Sequence, residues 1–489
     1  MRRNRLILYV AGALGLVAAA WSIVWLVGRS DVETRLVDLV TEADAEGWTL
    51  THGNPEISGF PLGYDVVLPD AALVHRGSGL IARLPEVNAI WEGTDADQVK
   101  LLLPDSFKIE MPVTEARRTR DPSLPEKLQF DGTARNAQVV LRQDGGLVGV
   151  ISGDEIRLVL EQTDIPTSIE AALRSFVAEL SDDLAAPIAL RAEEIALSGT
   201  SSTSDGPEAV LKTQAASFAL DLLLDEAAFN DVIYGGVEGT YRAQYTYGSV
   251  GGTLDISKDP LGMDGKLGFS TGEGAGDLIA SAGILDVTAD NRDVAWSLTG
   301  PSQDWGAVTI ARTEFGYTVP MSPTEMPQPG RLKVGLEALK FAQQVWDEYD
   351  PAGKLDRTPG NLALDISMTL RLMARMDRLP AGMQPPYEIA NVMVNQAIVQ
   401  ALGAEVQAAG DVEMIQPAAI PVGQLNIQAH GLSALISGLA ETGLLPPEMQ
   451  EYANAILQVY ARPGEGDDSW QTELRIGRAG MSVNGLPVQ

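Results

Sequence analysis

Apolar and polar residues alternate with a period of two along much of the chain. Phe218–Leu224 places Phe218, Leu220, Leu222 and Leu224 on one side, Tyr241–Tyr247 does the same with Tyr241, Ala243, Tyr245 and Tyr247, and Leu362–Leu372 with Leu362, Leu364, Ile366, Met368, Leu370 and Leu372. Each predicts a strand with one apolar and one polar face, as in antiparallel sheets solvated on one side. Asp144-Gly145-Gly146, Asp264-Gly265 and Asn484-Gly485 accept positive φ and predict hairpins. Pro487, just beyond the last, predicts an edge or terminating strand.

A period nearer 3.6 appears in other segments. Arg331–Asp350, Pro386–Glu405, Leu432–Gly443 and Pro446–Arg462 read as amphipathic helices, Pro446 and Pro447 suiting the first turn of the last. Ser168–Leu184 is the clearest helical candidate in the strand-rich region before it. Val32, Leu36, Leu39, Val40 and Ala43 follow helical spacing after Asp31, a suitable N-cap, with Gly47 as the stop.

The N-terminus carries Arg2, Arg3 and Arg5, then the uncharged, mainly apolar segment from Leu6 to Val27. At about 1.5 Å per residue that segment spans a bilayer core of about 30 Å. The arginines are expected to stay in the cytoplasm, with Trp21 and Trp25 as interfacial anchors. Ala18, Ala19 and Ala20 keep open a second reading, cleavage as a signal peptide near Ala20. The expected location is the bacterial inner membrane, single-pass, with the bulk in the periplasm.

The expected fold class is α+β and β-rich: an extended antiparallel twisted sheet or sandwich with packed amphipathic helices, preceded by one N-terminal transmembrane helix. Expected divisions are an anchor over 1–30, β-rich regions over 31–205 and 206–325, and a mixed helix-strand region over 326–489, with Val319–Gly330 as the linker and a softer break at Ser198–Glu208.

The formal charge of −31, spread without long acidic blocks, gives a soluble, self-repelling surface. It argues against nucleic acid, which wants a basic stripe; the short Ala116–Arg120 cluster is the nearest thing to one. Absent cysteines leave no lipobox and no disulfide framework. No G-x-S-x-G, P-loop or H-E-x-x-H pattern occurs. His52, His75 and His430 read as separate surface or loop residues. Gly272, Gly274 and Gly276 imitate a dinucleotide turn, but Asp277 replaces the third glycine, so the stretch reads as a flexible loop. Asp182-Asp183, Glu193-Glu194 and Asp467-Asp468 read as solvated surface. No catalytic, cofactor or metal residue is expected.

Ile57–Val66, Val345–Ser367 and Leu444–Asp468 together resemble a bacterial family of unknown function, the DUF two-one-two-five type, from the anchor to near the C-terminus. That resemblance implies an inner-membrane-anchored envelope protein without established catalytic residues. More distantly, the Val483–Gly485 hairpin is similar to those ending envelope proteins of the AsmA and YdgA kind. Within Ile57–Val66, Gly59 would permit an unusual backbone, Pro61 would limit ladder bonding and Phe60 would fill the adjacent core.

The expected function is a non-catalytic envelope protein binding or organising lipids, the apolar face lying uncovered somewhere in residues 107–319. A scaffold of envelope proteins with no small ligand is the alternative, and a hydrolase with dispersed acidic residues ranks last.

Overall fold

A computed structural model describes residues 34, 37, 40–41, 44, 47–59, 63–77, 79–92, 98–113, 125–143, 147–162, 167–181, 187–202, 207–224, 239–259, 264–281, 283–301, 304–374, 387–415, 420–478 and 480–488. Thr34, Val37, Val40, Thr41 and Asp44 are helical, and Thr41 Oγ1 donates to the Val37 carbonyl at 2.7 Å. The expected anchor, with Leu6, Trp21, Trp25 and Val27, lies outside the described residues. Among those described, no helix is long and apolar enough to cross a membrane.

The chain divides into two units, Met1–Ile195 and Ala196–Gln489. The first holds β1 (Trp48–Thr51), β2 (Glu56–Ser58), β3 (Gly63–His75), β4 (Ile81–Glu92), β5 (Gln98–Leu102), β6 (Ser106–Pro112), β7 (Lys127–Arg135), β8 (Gln138–Gln143), β9 (Leu147–Gln162) and β10 (Thr167–Ser181). Strand β11 (Ile188–Ser202) runs across the division.

The second unit continues with β12 (Glu208–Leu224), β13 (Tyr241–Tyr247), β14 (Ser249–Ser257), β15 (Gly265–Thr271), β16 (Gly274–Ser281), β17 (Ile284–Thr299), β18 (Asp304–Pro320) and β19 (Gln328–Phe341). Then come helix α1 (Gln343–Tyr349), β20 (Gly360–Leu372), β21 (Tyr387–Ala401), β22 (Ala404–Ile415), β23 (Ile420–His430), helices α2 (Leu432–Glu441) and α3 (Pro447–Tyr460), β24 (Arg462–Pro463), β25 (Ser469–Gly477), β26 (Gly480–Val483) and β27 (Leu486–Val488). Val319–Gly330, expected as a linker, instead holds a turn between β18 and β19, which pair with each other.

Both units contain the same arrangement, two long strands clamping four short ones. In the first, β4 pairs with β5 through one half and β6 through the other. β5 pairs with β8 and β6 with β7, and both β7 and β8 pair with β9. In the second, β12 pairs with β13 and β14, β13 with β16, β14 with β15, and β15 and β16 with β17. The second set repeats the first strand for strand.

Left-handed residues mark a crease in the strands that flank the first set and in those that clamp the second. Asp70 and Ser175 in the first unit, and Ser217, Asp293 and Ala338 in the second, have φ of +46° to +54° in the middle of long strands. A left-handed residue interrupts the two-residue alternation of a strand. Apolar parity changes there: Val66 and Leu68 precede Asp70, Ala71 and Leu73 follow it; Leu285, Val287 and Ala289 precede Asp293, Val294, Trp296 and Leu298 follow it. Hydrogen bonds carry the second crease from strand to strand, from Gly248 N to Ala216 O (2.9 Å) and from Gly272 N to Arg292 O (2.8 Å).

This crease overturns three helix expectations. Ile169, Leu173, Phe176 and Leu180 follow helical spacing, yet they lie on β10, because the left-handed Ser175 shifts the apolar parity of the strand by one residue while its register with β9 continues. Arg331–Asp350 is mostly β19, with the left-handed Ala338 at its register shift between Leu336 and Leu339, and only α1 is helical. Pro386–Glu405 is mostly β21, whose register shifts at Val394/Ala397 and opposite Asp365/Ile366 and Thr369/Leu370. The Leu432–Gly443 and Pro446–Arg462 segments do contain helices, α2 and α3.

Candidate functional site

Strand register sorts the second unit's side chains onto two unlike faces. One cross-strand row runs from Leu222 through Ala243, Leu278, Val287, Tyr317 and Leu332. It continues through Ile366, Val394, Gly410, Leu425 and Leu474 to Val483 on β26. The neighbouring row on the opposite face reads Asp221, Gln244, Asp277, Thr288, Gly316, Lys333 and Asp365.

Each unit covers part of its apolar side and exposes part of it, with Met111, Ile169 and Val177 exposed in the first and Ile310, Leu370 and Leu372 buried in the second. In the first, Val66, Leu68, Ala89 and Trp91 are buried as a packed cluster with Ile57, Tyr64, Val87, Val99 and Leu101 against them. In the second, Leu278, Trp296, Leu298, Phe315, Phe341 and Val399 stay exposed. That exposure continues past residue 319, beyond the range expected, because β19 and β21 are strands.

Facing glycines shape the surface. A Cβ at Gly276 would sit 2.4 Å from Tyr245 Oη, one at Gly274 2.3 Å from the Tyr247 ring, one at Gly252 2.7 Å from the Phe269 ring, and one at Gly132 2.3 Å from the Phe107 ring. Each aromatic therefore reaches over its cross-strand glycine. Gly274 and Gly276 belong to β16, so the glycine-rich stretch is a strand that seats tyrosines and not the flexible loop expected. Burial pushes the Tyr245 phenol up, helped by Tyr247 and Asp277.

Polar faces are laced with ion pairs. Arg331 holds Asp365 through two bonds of 3.1 and 2.7 Å, and Arg157 holds Glu170 through two of 2.7 and 2.8 Å. Lys127 and Arg83 converge on Glu110 at 2.8 and 3.1 Å, and Arg312 Nε reaches Asp290 at 2.9 Å. Each basic partner holds its carboxyl below the usual carboxylate range, chiefly by hydrogen bonding. Burial pushes the carboxyls of Asp350 and Asp468 up, but donors outweigh it. These are Lys354 N, Leu355 N and Arg357 for Asp350, and Ser433 N, Ala434 N and Trp470 Nε1 for Asp468.

These are structural pairings. A cavity of about 650 Å3 at the first unit's crease is lined by Asp70, Arg83, Phe107, Lys108, Asp131 and Thr133, with Lys108 and Asp131 paired at 3.2 Å. Among the described residues no group of three or more His, Asp or Glu is placed to hold a metal. His75, expected at the surface or in a loop, is buried at the end of β3, its ring centroid 4.6 Å from that of Trp48.

Gly59 has φ +101°, and its carbonyl accepts Gly63 N at 3.2 Å, so Gly59 opens the hairpin joining β2 to β3; a Cβ there would meet Gly63 O at 2.9 Å. Phe60 and Pro61 lie outside the described residues. Asn484 (φ +51°) and Gly485 (φ +85°) form the two-residue turn between β26 and β27, as the dipeptide predicts.

A family model described as an uncharacterised protein conserved in bacteria, DUF2125, matches residues 25–240 and 251–489. The chain belongs to DUF2125. The match covers strands of both units of this DUF2125 protein. No curated protein and no solved structure matches it.

Proposed function

We propose that this DUF2125 chain is a non-catalytic, membrane-anchored envelope protein whose second unit binds the acyl chains of envelope lipids. The observation that carries the reading is the cross-strand row from Leu222 to Val483, apolar throughout, on a face where large side chains remain exposed while ion pairs occupy the other. An extended apolar surface of this kind is a contact surface for something apolar. Each methylene removed from water onto it contributes about 0.8 kcal/mol. The segment Leu6–Val27, with arginines before it, would hold the body at the periplasmic side of the inner membrane.

Purification of the full chain from membranes, solvent extraction and mass spectrometry test the reading, with protease accessibility on spheroplasts testing the topology. Stoichiometric phospholipid and a body cleaved only from outside are expected. A lipid-free chain would overturn lipid binding, and a soluble product beginning near Trp21 would overturn the anchor.

A second reading, a scaffold for envelope proteins, draws on α3. Met449, Tyr452, Ile456 and Val459 are exposed at helical spacing along it. Full lipid occupancy in a Tyr452→Ser, Ile456→Ser chain that nevertheless fails in the cell would favour that role for the helix.

A further inference from the structure

We infer that one acyl chain lies along a narrow strip of the second unit below its crease, with Trp296 at its centre. This rests on the lipid-binding reading above and gives it a place. Register brings Leu254, Leu267 and Leu298 into one row and Phe269, Trp296 and Val308 into the next, with Leu211 and Phe341 at the ends. The rings of Phe269 and Trp296 meet at 5.7 Å between centroids.

Dimensions favour a chain-like occupant. Six strands from β12 to β19 give about 24 Å across the sheet, and two rows lie about 7 Å apart along it. The strip is bounded on both sides. At the crease, Tyr247 Oη donates to Asn291 Oδ1 and Asn291 Nδ2 donates to Thr313 Oγ1 at 3.1 Å, a polar row. On the far side stand the turn carboxylates of Asp264 and Asp304, each accepting a backbone N–H, from Asp259 and Gly306. At the β19 end Trp346 of α1 meets Phe341 edge-on, centroids 5.9 Å apart.

Leu211, Trp296, Leu298 and Phe341 are 36%, 46%, 47% and 43% exposed. With large side chains carrying about 150–250 Å2 each, these four leave roughly 350 Å2 open to solvent. A stable protein interface buries about 800 Å2 per partner, so a second copy is poorly served by this strip. None of the strip residues named carries a charge or a hydrogen-bonding group other than the Trp296 indole, and a methylene chain asks for neither.

Fatty acid with a brominated acyl chain, titrated into the delipidated full chain in detergent, tests this through tryptophan quenching. Wild type and Trp296→Phe are compared, so that the other tryptophans, including Trp21 and Trp25 in the detergent, cancel in the difference. Expected are saturable quenching that Trp296→Phe reduces, leaving the smaller share from Trp346 at the strip's end, and, in Leu298→Asp with unchanged circular dichroism, an affinity about tenfold lower. Leu298→Ala serves as the milder variant should the aspartate misfold, with a smaller loss in the same direction. Co-purifying lipid with identical quenching in wild type and Trp296→Phe would overturn this placement and leave the lipid-binding reading standing. No lipid and no quenching would overturn both. A chain that dimerises, and that Leu298→Asp converts to monomer with no lipid in either form, would show a second copy on the strip and overturn the placement.

Discussion

Asn484, on the last turn of the chain, donates from its side-chain amide to the carbonyl of Tyr460 at 2.8 Å, tying the terminal hairpin to the C-terminal end of α3. Its Oδ1 also accepts Glu473 N at 3.0 Å, and its backbone sits at φ +51°. Asn484→Ala loses both side-chain bonds and meets the left-handed penalty, so a loss of about 2–3 kcal/mol is expected in urea unfolding. Asn484→Gly loses only the bonds and should cost less. Equal losses would show that φ contributes nothing.

Ala338 holds φ +54° in the middle of β19, where an L side chain pays about 1–2 kcal/mol. Ala338→Gly should therefore raise stability by up to about 1 kcal/mol after its own entropy cost, whereas Ala338→Val should lower it. Thermal melts of the three chains give the order.

Leu402 and Gly403, φ +54° and +81°, make the two-residue turn between β21 and β22. Leucine is a poor resident of that position. Leu402→Asn should stabilise by roughly 0.5–1 kcal/mol, read as a higher urea midpoint with an unchanged slope.

Gly276 lies under the Tyr245 ring, where an added Cβ would come within 2.4 Å of Tyr245 Oη. Gly276→Val must displace the ring, and about 1–3 kcal/mol of destabilisation is expected, with a change in the near-ultraviolet tyrosine signal. Gly316→Val, whose Cβ site is 3.4 Å from Lys333 Cβ, should cost less.

Acid should unfold the protein in a defined window. Glu110, Glu170, Asp290 and Asp365 are held by basic partners below their ordinary values of 4.5 for Glu and 3.8 for Asp. The unfolded chain binds more protons there, so this stabilisation is complete above those ordinary values and is lost as pH falls through the lowered ones. Asp365→Asn should flatten part of the fall in stability below pH 4, as read by urea midpoints against pH.

Alternation alone disclosed the strand character of β12, β13 and β20, and Asn484-Gly485 disclosed its turn, because those signals are local. The strand nature of β10, β19 and β21 is hidden by a parity change at Ser175 in the first and by register shifts in the other two. Ile169, Leu173, Phe176 and Leu180 satisfy a helical template only because Ser175 breaks a period of two into 169, 171, 173 and 176, 178, 180. A parity change flanked by two clean alternating runs was the signal available, and it recurs at Asp70, Ser217 and Asp293. The exposed strip was harder to read. Trp296 and Phe269 are 27 positions apart in sequence and become neighbours only through the β15–β17 register.

Pairing order also bears on how the chain acquires this structure. From β17 to β23 every strand pairs with its predecessor, so that part of the sheet grows by closing one sequence-local connection at a time. The two clamped sets differ, since β9 and β17 each complete their set only after four short strands have found nested partners. Closing such non-local pairings precedes their reward, which slows folding. In a chain emerging N-terminus first, synthesis of β9 and then of β17 marks the two steps at which unpaired strand edges wait longest, and there a holding chaperone would have most to protect.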